Sequence, residues 1–219
     1  MSAERAPVFE GKKALLVGIA NEHSIAYGCA AAFRELGAEL AITYVKEKTR
    51  KHVEPLARAL AAPIFMPLDV GVPGQLEAVF KRIERQWGRL DVLVHSISGV
   101  PKSDLRGGLL NCSVDGFLHA MDVSCHSFIR MARLAAPLMT NGGTMFAMTY
   151  LGANRVVPNY NVMGPVKAAL EAVCRYLAYE LGPKRIRVHA ISPGPLKTRA
   201  GSGLKDFDLL LNEAMQRAP

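Results

Sequence analysis

The 219-residue sequence predicts an α/β protein built on a doubly wound parallel sheet, and three observations predict it. Six short apolar segments alternate with longer stretches of helical character. Those segments are rich in β-branched and aliphatic residues without strict polar alternation, as strands covered on both faces require. Two of the helical stretches stop at glycines, Gly37 and Gly88.

The first unit reads as a strand at Lys13–Val17, a loop, and a helix over 24–36. A strand at Glu39–Tyr44 follows, then a basic amphipathic stretch to residue 62, a strand over 64–68 and a helix at Gln75–Trp87. Strands over 90–96, 144–149 and 187–191 complete the six, separated by helical stretches around 114–139 and 160–181. Pro55 and Pro137 fall inside helical stretches and are expected to start, kink or end them. Right-handed crossovers turn this order into a doubly wound sheet whose ligands bind at the carboxyl ends of the strands, near the switch point. With no internal repeat and no linker-like tract, the expectation is a single domain over residues 1–219.

Composition narrows the class. Half the residues are hydrophobic and 21% are charged, which excludes disorder and collagen-like or coiled-coil chains. The apolar stretch 14–20 is far shorter than the roughly 18 residues of a membrane span. Lys12 and Lys13 precede it, but Asn21, Glu22 and His23 stand where a signal-peptide cleavage site would lie. A soluble, cytoplasmic protein with no membrane segment is expected. Cys29, Cys112, Cys125 and Cys174 show neither a CxxC pair nor a zinc spacing, so they read as reduced thiols with no metal. The net charge of +8 favours acidic partners. Because the basic residues are dispersed outside 46–51, that stretch reads as a solvated helix face and not as a nucleic-acid site.

Four loops after strands carry candidate chemistry. In the first, Gly18 permits a tight turn and Ser24 stands at a helix N-terminus, a setting that favours a dinucleotide pyrophosphate. An ordinary turn glycine with an N-cap serine is the other reading. Asp69 and Val70 follow the third strand, where the carboxylate suits an adenine amino group or, equally, a helix N-cap. The fourth strand ends in His95, Ser96 and Ile97 at the switch point, with His95 read as a strand-end histidine since no carboxylate is placed to orient it. The loop after the fifth strand, 150–167, brings together Tyr150, Tyr160 and Lys167. Their seven-residue separation is nearly two helical turns, so Tyr160 and Lys167 are expected to share one helix face with about 10.5 Å of rise between them. An ammonium near a phenol favours the phenolate and holds ribose hydroxyls, while a phenol donates to a developing oxyanion. Either suits reduction of a polarised carbonyl system.

These stretches, together with Leu68-Asp-Val, Thr149-Tyr-Leu-Gly-Ala, Pro158-Asn-Tyr-Asn-Val-Met-Gly and Ser192-Pro-Gly-Pro-Leu-Lys-Thr, resemble the enoyl-[acyl-carrier-protein] reductase branch of the short-chain dehydrogenase/reductase superfamily. The Tyr-x6-Lys spacing of Tyr160 and Lys167, with Gly164 where ketoreductases carry the lysine, selects that branch. The resemblance covers essentially the whole chain and implies a Rossmann-like fold. It also implies reduction of the C2=C3 double bond of trans-2-enoyl-acyl carrier protein by NADH or NADPH, the last step of a fatty acid elongation cycle. By the same resemblance Tyr150, Tyr160 and Lys167 are catalytic. Gly18, Ser24, Ile25, Val45, Asp69, Val70, Ile97, Lys167, Leu196, Lys197 and Thr198 contact the cofactor, and Val100, Tyr150 and Tyr160 line the substrate site. Residues 199–216, with Gly201 and Gly203 as hinges, resemble a substrate lid. Acyl carrier protein and a homotetramer are the implied partners. A related reductase with another substrate, and a dinucleotide-binding protein without turnover, are the alternatives.

Three features depart from the family. Val45 and Lys46 stand where a site for NAD usually presents an acid, which admits NADPH. Ser98 and Gly99 replace a glycine or alanine and an aromatic. The family continues beyond position 219 with a helix and an edge strand, so the chain is expected to be a C-terminally truncated form whose sixth strand is a sheet edge.

Overall fold

The computed structural model describes residues 7–198, 201 and 207–217. Six parallel strands, β1 (Lys13–Val17), β2 (Glu39–Tyr44), β3 (Ile64–Pro67), β4 (Val92–His95), β5 (Gly143–Met148) and β6 (Ile186–Ile191), form one sheet in the order β3-β2-β1-β4-β5-β6. The order reverses between β1 and β4, which opens the crevice where such sheets bind ligands. The helices are α1 (Ile25–Glu35), α2 (Glu47–Ala59), α3 (Gln75–Trp87), α4 (Lys102–Arg106), α5 (Val114–Met121), α6 (Ser127–Ala135), α7 (Met163–Leu181) and α8 (Phe207–Arg217).

Strand pleat explains why the strands read as unbroken apolar runs. Leu15, Val17 and Leu93 point into a core shared with α3, α6 and α7. Their neighbours Ala14, Leu16, Val92 and Val94 point the other way, into a core shared with α1 and α2. Leu15, Leu16, Leu40, Ile42 and Leu93 are all fully buried, and each such side chain contributes about 1.5–3 kcal/mol. β6 is the last strand on its side of the sheet, and Arg187 and His189 through Ile191 are exposed along it.

The six strands, α1 and α3 lie within a few residues of their predicted positions, and Pro55 is accommodated inside α2. Two helical expectations are corrected. The 114–139 stretch is interrupted by a π turn at Asp122–His126 and closes in a 3-10 turn at Ala136–Leu138 that holds Pro137. At the π turn side chains compete for backbone partners: the Ser127 hydroxyl donates to the Val123 carbonyl at 2.7 Å, and Ser124 Oγ accepts the Gly99 amide at 3.0 Å. The helix expected from residue 160 begins instead at Met163. The short α4 was not among the predicted elements. Asp104 is buried on it and accepts the Ser113 amide at 2.6 Å, tying α4 to the start of α5. No helix among the described residues is long and apolar enough to cross a membrane.

Candidate active site

The crevice begins at Gly18, whose φ of +119° suits glycine and whose Cβ, if present, would lie 2.1 Å from the Ser96 carbonyl oxygen. The ends of β1 and β4 touch there, and the Ser96 amide donates to the Val17 carbonyl at 2.9 Å. Ser24 accepts the Ala20 and Asn21 amides at 3.0 and 3.1 Å, so its hydroxyl shapes the loop and makes no side-chain cap to α1. Ser24 is thus the N-cap residue of α1 by position, as read from the sequence, without a capping bond from its hydroxyl. α1 has no acid in its first turn, so its N-terminus is electrostatically open to an anion. The Gly18 cradle and this helix end fit a dinucleotide pyrophosphate.

Gly18→Ala is expected to destabilise the chain by about 2–4 kcal/mol, from strain at positive φ and overlap with Ser96. Urea unfolding checks the stability.

Asp69 accepts the Gly71 amide at 3.0 Å, and its own amide donates to the Gln75 side chain at 2.8 Å. The N-cap of α3 is Gly74, which removes the N-cap reading of Asp69. Val70 is buried, and its carbonyl accepts Arg130 at 2.9 Å. The same guanidinium reaches both Asp122 oxygens at 3.1 Å. Ile25 and Ile97 are half-buried beside the crevice. Val45 is exposed just past β2, Leu196 and Lys197 are exposed past β6, and the Thr198 hydroxyl accepts the Gly201 amide at 3.0 Å. Gly203 lies outside the described residues. Val100 and Tyr150 are half-buried at the edge of the same core.

Tyr160 precedes α7 and so does not share a helix face with Lys167, which corrects that expectation. Asn159 and Asn161 flank it at φ of 63° and 47°, left-handed values that asparagine tolerates better than most residues. The Asn161 side-chain amide donates to the Leu105 carbonyl at 2.5 Å. Tyr160 is buried, and its ring centroid lies 5.0 Å from that of Tyr150. Burial, reinforced by Tyr150, pushes the Tyr160 phenol well above its ordinary value. A phenol is already protonated at neutral pH at its ordinary value of about 10, and burial holds Tyr160 further in that form, as a hydrogen-bond donor.

Lys167 is buried, and its Nζ donates to the Met148 carbonyl at 2.7 Å. Burial lowers its amine to about 8 despite opposing contributions from Cys125 and Cys174. His95 is fully buried, with Nε2 at 2.8 Å from Ser127 Oγ. Since the Ser127 hydroxyl donates to Val123, Nε2 carries the proton and donates, and Nδ1 has no hydrogen-bond partner among the described residues. Burial, then the Lys167 charge, lowers His95 to about 3, so it is neutral throughout the physiological range. Gly99 lies against Val123, where a Cβ would be 2.9 Å from Cγ1, so Val123 stands in the space beside residue 99.

Comparison with known proteins matches both the sequence and the fold. A family model described as enoyl-(acyl carrier protein) reductase matches residues 18–219. The chain is 45% identical over 212 residues to enoyl-[acyl-carrier-protein] reductase [NADH] 2 of Rhizobium meliloti, covering 97% of this chain and 79% of the relative. A crystal structure of the Anaplasma phagocytophilum enoyl-(acyl-carrier-protein) reductase in complex with NAD superposes with a TM-score of 0.90 at 44% identity, covering 96% of this chain and 80% of that one. The Bacillus cereus enoyl-acyl carrier protein reductase with NADP+ and indole naphthyridinone gives a TM-score of 0.93 at 41% identity, covering 97% and 83%.

Proposed function

The chain belongs to the enoyl-(acyl carrier protein) reductase family, and from that premise we propose that it reduces the C2=C3 bond of trans-2-enoyl-acyl carrier protein thioesters with NADH. The observation that carries this reading is the Tyr150–Tyr160 ring pair that follows β5, with the buried Lys167 amine held on the carbonyl of Met148 where β5 ends, beside the crevice at β1 and β4.

Reduced nicotinamide, when bound, supplies hydride to C3 of the enoyl thioester. Negative charge then gathers on the thioester oxygen. The protonated Tyr160 phenol donates a hydrogen bond to that oxygen, and it does so most strongly in the transition state. Lys167 binds the nicotinamide ribose hydroxyls with the amine that otherwise reaches the Met148 carbonyl. Tyr150 and Val100 line the acyl site and exclude water from it. A proton from water or a relay completes the product at C2. Gly18, Ser24, Ile25, Asp69, Val70, Ile97, Leu196, Lys197 and Thr198 hold the remainder of the cofactor, Ser24 by shaping the loop.

NADPH is a second cofactor on one specific observation: β2 ends at Tyr44, and Val45 and exposed Lys46 follow it with no acid at the ribose position. α8, the described helix of the segment expected as a lid, is the candidate cover of the acyl site. A homotetramer fits the exposed apolar side chains on α5 and α7, among them Phe117, Leu118, Tyr176 and Tyr179. The protein works in the cytoplasm, and the basic surface suits an acidic carrier protein.

The test is absorbance at the reduced-nicotinamide band with a crotonyl thioester and NADH or NADPH in separate cuvettes. Loss of the band with NADH is expected, and a slower or comparable loss with NADPH reports on Val45 and Lys46. No loss with either cofactor contradicts the proposed reaction.

A further inference from the structure

α7 grips the end of β5 at two successive points. Lys167 holds the Met148 carbonyl. One turn later Glu171 accepts the Thr149 hydroxyl at 2.8 Å on one carboxylate oxygen and the Asn154 side-chain amide at 3.0 Å on the other. Thr149 and Asn154 are the two ends of the turn that bears Tyr150 and the 3-10 residues Leu151–Ala153. A single carboxylate therefore closes that turn at both ends, through hydrogen bonds to a charged acceptor, the stronger kind.

The turn is also the seat of the second phenol. A Cβ on Gly152 would fall 2.3 Å from Cδ1 and 2.7 Å from Cε1 of Tyr160, so the Gly152 backbone lies directly against that ring. On the far side, Gly164 passes the Gly152 carbonyl with no room to spare, its own Cβ position being 3.1 Å from the oxygen. A shift of this turn must move Tyr150 itself and remove the wall behind Tyr160.

We propose that Glu171 is a positioning residue: by clamping Thr149 and Asn154 it fixes the 149–154 turn and, through Gly152, the placement of the Tyr150–Tyr160 pair. What the pair does rests on the reductase reading above; the clamp itself does not. Sub-ångström misplacement of a catalytic donor lowers turnover steeply while leaving a cofactor site built from other loops intact.

The experiment compares Glu171→Ala, Glu171→Gln and Thr149→Val in the full chain by two readouts, amide hydrogen exchange of the 149–162 segment and steady-state reduction of a crotonyl thioester. Glu171→Ala is expected to speed exchange across 149–154 by about tenfold or more with β1 unchanged. It should also lower kcat by about 10–100-fold with the NADH dissociation constant within about twofold of wild type. Glu171→Gln keeps an acceptor for Thr149 and, with the Asn154 amide turned over, a partner for Asn154, so it should recover most of both. Thr149→Val, which loses one bond only, should show the same pattern to a smaller degree, including where Glu171→Ala does not fold. Unchanged local exchange in Glu171→Ala or Thr149→Val overturns the clamp, as does a kcat loss matched by an equal loss of NADH affinity. If the wild-type chain does not consume NADH, the reductase reading fails while the exchange comparison still decides the clamp.

Discussion

Tyr160→Phe is expected to lower kcat by about 10²–10³-fold, the size of effect seen when one oxyanion donor is removed, while the NADH dissociation constant stays within about twofold. The asymmetry follows from where the phenol sits. Its ring is held by Gly152 and by two left-handed asparagines, and phenylalanine keeps the same ring contacts. Only the hydroxyl is lost. Because burial keeps Tyr160 protonated, the hydroxyl is a donor from the start and contributes most when charge develops on the substrate oxygen. Stopped-flow turnover and fluorescence titration of NADH separate the two quantities. Equal losses in both would place Tyr160 in cofactor binding instead.

Lys167→Met separates folding from function in the opposite sense. The amine is buried and lowered to about 8 from an ordinary 10.5. The folded chain thus holds a charge at pH 7 that it disfavours by about 3 kcal/mol relative to the unfolded chain. Between about pH 8 and 10.5 the unfolded chain binds the proton that the folded one has released, so this group makes wild-type stability rise with pH through that window. Methionine removes the charge and the pH-dependent segment, at the cost of leaving the Met148 carbonyl without its donor, worth about 1–3 kcal/mol. The two effects oppose each other, so unfolding at pH 7 should stay within about 2 kcal/mol of wild type. NADH affinity should nevertheless fall by more than about tenfold with the loss of a charged hydrogen bond to the ribose. In the wild type, NADH affinity should weaken as pH rises through about 8, and Lys167→Arg should not show that loss. A Lys167→Met chain that binds NADH normally would contradict the ribose assignment.

Much of the sheet was legible because its strands sit between two cores. Leu15 and Leu16 are both apolar for the same reason, one facing each layer, and runs of that kind between glycine-terminated helices have few other solutions. Tyr150 and Tyr160 were legible as neighbours because residues that follow one strand of a parallel sheet gather at its carboxyl end. The route by which they converge was not. Helical spacing placed Tyr160 on α7, whereas Asn159 and Asn161 at positive φ turn it in from the preceding loop; two asparagines around one tyrosine were the available signal. The π turn at Asp122–His126 depends on where Ser124 and Ser127 direct their hydroxyls, which no local pattern specifies. Glu171 looked like any polar helix residue, since its partners Thr149 and Asn154 are 22 and 17 positions away.

The most direct test of the central claim is the fate of deuterium from NADH labelled at the transferable C4 position, followed into a crotonyl thioester by NMR in ordinary water. The account predicts one deuteron at C3 of the saturated product and a solvent proton at C2, with the rate reduced but the positions unchanged in Tyr160→Phe. Label at C2, or a thioester recovered unsaturated while the label remains on the nicotinamide, would contradict it.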